Sequence, residues 1–280
     1  MIVRVPASSA NLGPGFDTLG MALSLFVEVG TGGGGAVPDG ARAIDEHHPA
    51  SIAFALGGGV GALWERTSIP SGRGLGFSGA VRVGGAVLAH AQRTGATVVD
   101  DVVRTAVLAL VSGLEGHADN VAASLYGGIV ATGGGIVVRV PLGLDPAIVV
   151  WIPSFVTKTD ESRKVLAATV ALDDAVFNLG RLALLVAALG AGDVDALGVA
   201  VDDRLHQPAR LAAAEPSRLA MEAARDAGAW CAWLSGSGPT VAMMCSTVEA
   251  EQLAAALPGD GHTKVLRIDH QGTTIEVPYT

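Results

Sequence analysis

Eleven consecutive residues, Pro70-Ser-Gly-Arg-Gly-Leu-Gly-Phe-Ser-Gly-Ala80, carry the strongest chemical signal in the chain. Gly72, Gly74 and Gly76 alternate, which lets the backbone turn tightly and approach a ligand closely, and the apolar run after them reads as a helix. The first turn of a helix has N–H groups with no partner inside it. A glycine loop that feeds a helix N-terminus therefore suits an anion, and phosphate is its natural occupant. A plain glycine turn ahead of a core helix has the same local pattern, so the other polar residues must decide between the two.

Asp17 is one of them: it sits among Phe16, Leu19 and Met21, where an unpaired carboxylate is costly, and so calls for a cation or a ligand. Glu115-Gly-His-Ala-Asp119-Asn120 places four polar groups within six residues at a break between apolar helices. Asp119 there fits an N-cap, but the cluster also fits a site in which Glu115 holds a metal while His117, Asp119 and Asn120 face a polar ligand. Ser235-Gly-Ser-Gly-Pro239 is a second glycine turn suited either to a strand connection or to an anion. His47 and His48 are adjacent but have no third ligand at helical spacing, so they read as a solvated helix start.

These residues need a scaffold, and 280 residues allow two modest domains. Half of the chain is apolar and only 4% is aromatic, which suits helices packed closely on sheets. The net charge of -9 and the pI near 5.2 oppose counterion-driven binding to nucleic acid. Cys231 and Cys245 are too few for a disulfide framework, which points to reduced, packed thiols and a cytoplasmic location. The first six residues contain no signal-type apolar core, and no later run reads as a membrane span of about 20 apolar residues, so no membrane is expected.

Strands are predicted at 2–5, ended by Pro6, and at 23–29, with a turn-rich loop at 7–20 between them and a flexible glycine loop at 30–40. A helix at 51–62, broken at 57–59, precedes the glycine stretch; helices at 81–91 and 100–114 and a kinked strand at 129–140 follow it. The Pro/Gly segment 141–146 marks a domain boundary. Beyond it come a strand at 148–152, a helix start at 157–163 that Thr159 would cap, helices at 166–189 and 194–214 with Pro208 kinking or ending the second, and a helix at 216–227. Strands at 230–234 and 240–244, a helix at 248–257 and closing strands at 263–268 and 274–277 complete the pattern.

Taken in order, Pro6-Ala-Ser-Ser-Ala-Asn-Leu-Gly-Pro-Gly-Phe-Asp17, the 70–80 stretch, Glu115 to Asn120 and Ser235-Gly-Ser-Gly-Pro-Thr240 resemble the motifs of the GHMP kinases, most like the homoserine kinase branch. Gly74-Leu-Gly-Phe-Ser-Gly79 also satisfies the dinucleotide pattern, with Asp100 or Asp101 about where a ribose carboxylate would stand, but the first block and the Glu115 block have no place in that alternative. The resemblance implies an α+β fold with an ATP-binding ribosomal protein S5 domain 2-like N-terminal domain over 1–145, a ferredoxin-like C-terminal domain over 146–280, and an active site between them. It implies ATP-dependent phosphorylation of the L-homoserine hydroxyl to O-phospho-L-homoserine, a step of threonine biosynthesis. A GHMP kinase for another small hydroxylated metabolite, or a member that binds without transfer, is the alternative.

Residue by residue, the resemblance implies that Pro70, Gly72, Arg73, Gly74, Leu75, Gly76, Phe77, Ser78 and Gly79 wrap the ATP phosphates, and that Ser78 and Glu115 place Mg2+. Asn11, Asp17, His117, Asp119, Arg163, Arg210 and Gly236 contact the substrate, and Thr159, Arg163 and Asn120 serve the transfer itself. Homoserine has an ammonium, which Asp17 and Asp119 suit, and a carboxylate, which the forked Arg163 and Arg210 suit. A homodimer is a further expectation. The chain departs from the family pattern at Phe77, where a serine is usual, at Gly79, where alanine is usual, at His48-Pro49 in the nucleotide-base segment, and at Lys158 and Ser162. Loss of the hydroxyl at position 77 costs about 1.5–3 kcal/mol of phosphate binding, while the Phe77 N–H remains.

Overall fold

A computed structural model of the 280-residue chain describes residues 1–32, 37–155 and 159–276, the side chains of 159–161 excepted. Residues 33–36 of the glycine loop expected at 30–40, and the helix start expected at 157, lie outside the described residues.

Two antiparallel sheets position the site. The first pairs β1 (Ile2–Ala10) with β2 (Leu19–Thr31), extends through β4 (Leu63–Thr67) to β3 (Arg42–Ile44), and carries a hairpin of β5 (Ile129–Gly133) and β6 (Ile136–Arg139) on β2. β1 does not end at Pro6 as the sequence suggests. The register with β2 shifts between Pro6 and Ala7, so a bulge absorbs the missing N–H and the strand runs on to Ala10, carrying Ser8 and Ser9 into the interior. The expected strand at 129–140 is likewise a hairpin, turned at Gly134 and Gly135.

Helices α1 (Pro49–Leu56), α2 (Phe77–Thr94), α3 (Asp101–Glu115) and α4 (Asp119–Tyr126) cover this sheet. α2 starts four residues before the expected 81, directly after Gly76, and buries Ala80, Val83, Gly84 and Val87. A methyl group on Gly85 would lie 2.1 Å from the Ala50 carbonyl oxygen, so glycine is what lets α1 and α2 pack so tightly. Asp100 caps α3 through the Val103 N–H. His47 is exposed, but His48 is not a solvated residue: its Nδ1 accepts from the Ala50 N–H and its Nε2 lies 3.3 Å from buried Glu65. Burial holds the His48 pKa down, against the pull of Glu65.

The second sheet has the order β10 (Gly261–Leu266), β7 (Ala147–Pro153), β9 (Val241–Cys245), β8 (Cys231–Leu234). Helices α9 (Glu215–Asp226) and α10 (Ala250–Ala256) pack on it. The last described strand, β11 (Thr274–Glu276), joins β1 rather than closing this second sheet, so the first sheet holds both the first and the last described strand. One apolar cluster runs from Val3 and Val87 to Ile148, Leu185 and Trp233, joining the two sheets and their helices. Both cysteines are free and buried, and burial pushes the Cys231 and Cys245 thiols up to about 12 and about 11.

In chain order, α5 (Thr159–Lys164), α6 (Leu172–Ala191), α7 (Val194–Ala200) and α8 (Gln207–Ala212) come between β7 and β8. The helix expected at 194–214 is thus two helices, because the Asp203 carboxylate accepts from the N–H groups of Leu205, His206 and Gln207 and breaks the run. Pro208 opens α8 instead of kinking a longer helix, in a position that needs no N–H donor. α6 is 20 residues long with a mean hydropathy of 1.5, so it reaches the length and composition of a membrane span, contrary to the sequence reading. Its Leu185, Ala188 and Leu189 pack into the core, while Leu172, Val176 and Leu179 are exposed.

Candidate active site

Gly72, Gly74 and Gly76 adopt φ of 67°, 73° and 70°, the left-handed region that L side chains rarely enter. A Cβ on Gly74 would lie 2.3 Å from the Ser235 carbonyl oxygen, and one on Gly76 2.0 Å from Ser8 Oγ. The loop therefore needs glycine for conformation and for space. No side chain caps α2, and its first internal bond runs from the Ala80 N–H to the Gly76 carbonyl. The N–H groups of Phe77, Ser78 and Gly79 are thereby the open positive end of an 18-residue helix. At Gly79 there is room: a Cβ would come no closer than 3.7 Å to any atom. Gly79→Ala is expected to keep full activity and to stabilise the fold by about 0.5–1 kcal/mol, measured by thermal melting alongside turnover.

The loop is held from behind by a chain of buried hydrogen bonds. Trp233 Nε1–H donates to Ser9 Oγ (3.0 Å), Ser9 Oγ–H to Ser235 Oγ (2.8 Å), and Ser235 Oγ–H to the Gly74 carbonyl (2.6 Å). This relay ties β1, β8 and the glycine turn at 235–238 to the phosphate-type loop. Ser235→Ala removes the donor to the Gly74 carbonyl and the acceptor of the Ser9 O–H, at a cost of about 1–3 kcal/mol. Its expected signature is a raised nucleotide KM with the acceptor KM unchanged, read in steady-state kinetics. Asn11, at φ 71°, completes the junction: its Nδ2 donates to the Gly236 carbonyl and its Oδ1 accepts from the Asp17 N–H.

Facing the loop is a corner of opposed charges. Arg163 Nη2 lies 2.6 and 2.8 Å from the two oxygens of Asp17, which gives Asp17 the cation that its apolar setting requires. His117 Nδ1 lies 2.7 Å from Asp119 Oδ1, a bond that raises the His117 pKa against its burial. Asp119 also accepts from the Asn120 N–H, and Asn120 Oδ1 accepts from Ser8 Oγ–H. Ligand atoms of Asp17, His117 and Asp119 all lie within 4.8 Å of one another, a compact acidic corner suited to an ammonium.

Arg210 is the opposite case. It is buried, and it donates to the Gly236 carbonyl and to His206 Nδ1 at 3.1 Å each, yet among the described residues no carboxylate lies within ion-pair reach. Burial lowers its pKa, as does neighbouring Arg163. His206 Nε2–H donates to the Gly13 carbonyl, so Nδ1 is free to accept from Arg210; burial holds His206 neutral by lowering its pKa. The Phe16 ring centroid lies 5.4 Å from the Arg163 guanidinium and 5.3 Å from that of Arg210, so one aromatic ring neighbours both cations. Loop, acidic corner and arginines line a single cavity of about 560 Å³.

Residues 185–262 match the family model described as GHMP kinases C terminal. A homoserine kinase of Moorella thermoacetica is 44% identical over 263 residues, covering 87% of each chain. The chain belongs to the GHMP kinase family. A homoserine kinase of Thermus thermophilus is 38% identical over 282 residues, covering 94% of each chain. Among solved structures, the homoserine kinase of Cytophaga hutchinsonii superposes with a TM-score of 0.82 at 28% identity, over 99% of this chain and 97% of that one. The GHMP kinase fold, α+β with open sheets, is therefore the fold of this chain.

In this GHMP kinase the cavity wall contains Gly72 to Gly79, Asn11, Asp17, Glu115, His117, Asp119, Asn120, Arg163, Arg210 and Gly236, residues that are far apart in sequence. Pro70 stands just outside the wall, and the Thr159 side chain lies outside the described residues. Phe77 keeps its N–H at the start of α2, while its ring meets His48 edge-on at 6.3 Å between centroids. Glu115 and Ser78 are hydrogen-bonded at 2.8 Å, and Arg82 Nη1 bonds to both. Arg82 and Trp233 escaped the sequence reading, because neither belongs to a chemically suggestive spacing and only the fold brings them to the site, while Ser9 and Phe16 lie within the Pro6–Asp17 block but were given no role by it.

Proposed function

We propose that this GHMP kinase transfers the γ-phosphoryl group of ATP to the hydroxyl of L-homoserine, forming O-phospho-L-homoserine. The carrying observation is that one cavity joins a phosphate-type loop to a corner matched to an amino acid, with Asp17 and Asp119 on one side and, on the other, the buried cation of Arg210, which has no ion-paired acid among the described residues. The names of the relatives support the same reading.

In this mechanism the loop and the N–H groups of Phe77, Ser78 and Gly79 hold the nucleotide phosphates. Ser78 Oγ and Glu115 Oε1, hydrogen-bonded at 2.8 Å, are hard oxygen donors of the kind that would hold Mg2+. The residues thus fit that ion, which, when bound, offsets phosphate charge. Arg210 takes the substrate carboxylate, with Arg163 beside it, and Asp17 and Asp119 take the ammonium, leaving the hydroxyl toward the loop. The hydroxyl oxygen attacks the γ-phosphorus, the bond from that phosphorus to the bridging oxygen breaks, ADP leaves and the hydroxyl proton passes to solvent. Such a transfer relies on positioning and charge more than on a strong base. Thr159 is assigned beside the transferred group, and Asn120, held by Ser8, orients the reacting end.

A coupled ADP-release assay across homoserine, mevalonate, shikimate and sugars tests the assignment. Homoserine is expected to turn over fastest; efficient turnover of another acceptor without homoserine would replace this reading with another GHMP activity. The proposal extends to a cytoplasmic homodimer, for which the exposed apolar side of α6 is the available surface. Sedimentation of the 28.1 kDa chain as a monomer at assay concentration would remove the dimer.

A further inference from the structure

Arg82 stands one turn after Ser78 on α2, so the helix delivers its guanidinium to the face that carries the Ser78 hydroxyl. Its Nη1 lies 2.5 Å from Ser78 Oγ and also bonds Glu115 Oε1, the oxygen that Ser78 itself contacts at 2.8 Å. Both charged side chains are largely enclosed, with 20% and 11% exposure for Arg82 and Glu115, so solvent screens this contact weakly. The guanidinium therefore sits on the two oxygens that suit a divalent ion. Arg82 is also incompletely satisfied there, because its buried Nε has no hydrogen-bond partner among the described residues.

We propose that Arg82 is a built-in competitor of the divalent cation. Its guanidinium neutralises Glu115 in the metal-free protein and has to leave Oε1 for a metal ion to bind there. Two cations cannot share that oxygen at contact distance without strong repulsion in a poorly screened site. A paired Glu115 attracts free metal weakly, whereas a metal ion that arrives on a nucleotide also gains the phosphate contacts of the loop. The site therefore selects the metal–nucleotide complex over the free ion. The unpaired Nε makes the resting position of Arg82 easier to abandon. This inference rests on the metal role assigned to Ser78 and Glu115, and its test separates the two.

The experiment is a titration of the nucleotide-free protein with Mn2+, with free ion followed by electron paramagnetic resonance. Arg82→Gln, close in shape and without charge, is expected to bind Mn2+ about tenfold or more tightly than the unmodified chain. Arg82→Lys, which keeps the charge, is expected to bind it weakly. Glu115→Gln on the Arg82→Gln background should cancel the gain. If Arg82→Gln binds Mn2+ no better while Glu115→Gln weakens binding in the presence of ATP, the metal site stands and the competition is overturned. If Glu115→Gln changes Mn2+ binding in no background, with or without ATP, the metal assignment itself falls. Thermal melting of each variant identifies a folding defect, and Arg82→Met repeats the test if Arg82→Gln proves unstable.

Discussion

Gly76→Ala is expected to lower kcat/KM by about a thousandfold or more and to destabilise the fold by about 2 kcal/mol. Two costs combine. Gly76 has φ 70°, which penalises a side chain by about 1–2 kcal/mol, and its new methyl group would lie 2.0 Å from Ser8 Oγ. Ser8 has to move, and it is the residue that orients Asn120. Gly76 also begins α2, so relieving the clash shifts the N–H groups of Phe77, Ser78 and Gly79 away from the phosphates. Misplacement of about 1 Å in such a site costs about a hundredfold, before any loss of nucleotide binding is counted. Melting curves and steady-state kinetics measure both effects, and kcat/KM within threefold of the unmodified chain would show that the loop does not cradle the phosphates.

The second large effect concerns Arg210. Arg210→Lys keeps a positive charge but removes the planar fork that can grip a carboxylate with two parallel bonds. The homoserine KM is expected to rise about ten- to a hundredfold, corresponding to about 1.5–3 kcal/mol, with the ATP KM unchanged. Arg210→Met should weaken homoserine binding further. Its effect on substrate-free stability should be small, about 1 kcal/mol or less, because the lost hydrogen bonds are partly offset by removal of a buried cation that has no acid partner among the described residues. Separate titrations of the two substrates distinguish this from a general loosening of the cavity, which would raise both constants.

Much of the site was legible in the sequence because its motifs are local. The glycine spacing at 72, 74 and 76 translates directly into three left-handed turns, and an acidic residue in an apolar neighbourhood, Asp17, does find a cation in Arg163. Long amphipathic helices such as α3 were legible for the same reason. The strand at β1 was misjudged at Pro6 because a bulge that tolerates proline depends on the partner strand, which local pattern cannot express. The break between α7 and α8 was missed because it depends on where the Asp203 carboxylate turns. The relay from Trp233 to Gly74 and the seat of Arg82 arise from residues brought together over long sequence separations, so only the packed fold reveals them.

The central claim is that one cavity grips both charged ends of an amino-acid acceptor while the glycine loop presents ATP. Comparison of kcat/KM for L-homoserine with that for 4-hydroxybutyrate, which lacks the ammonium, and 3-aminopropan-1-ol, which lacks the carboxylate, tests it most directly. Each analogue forfeits one of the two sets of charge-assisted contacts that the site makes with homoserine, so each is expected to react at least about a thousandfold less efficiently than homoserine. Phosphorylation of either analogue within tenfold of homoserine would contradict the account.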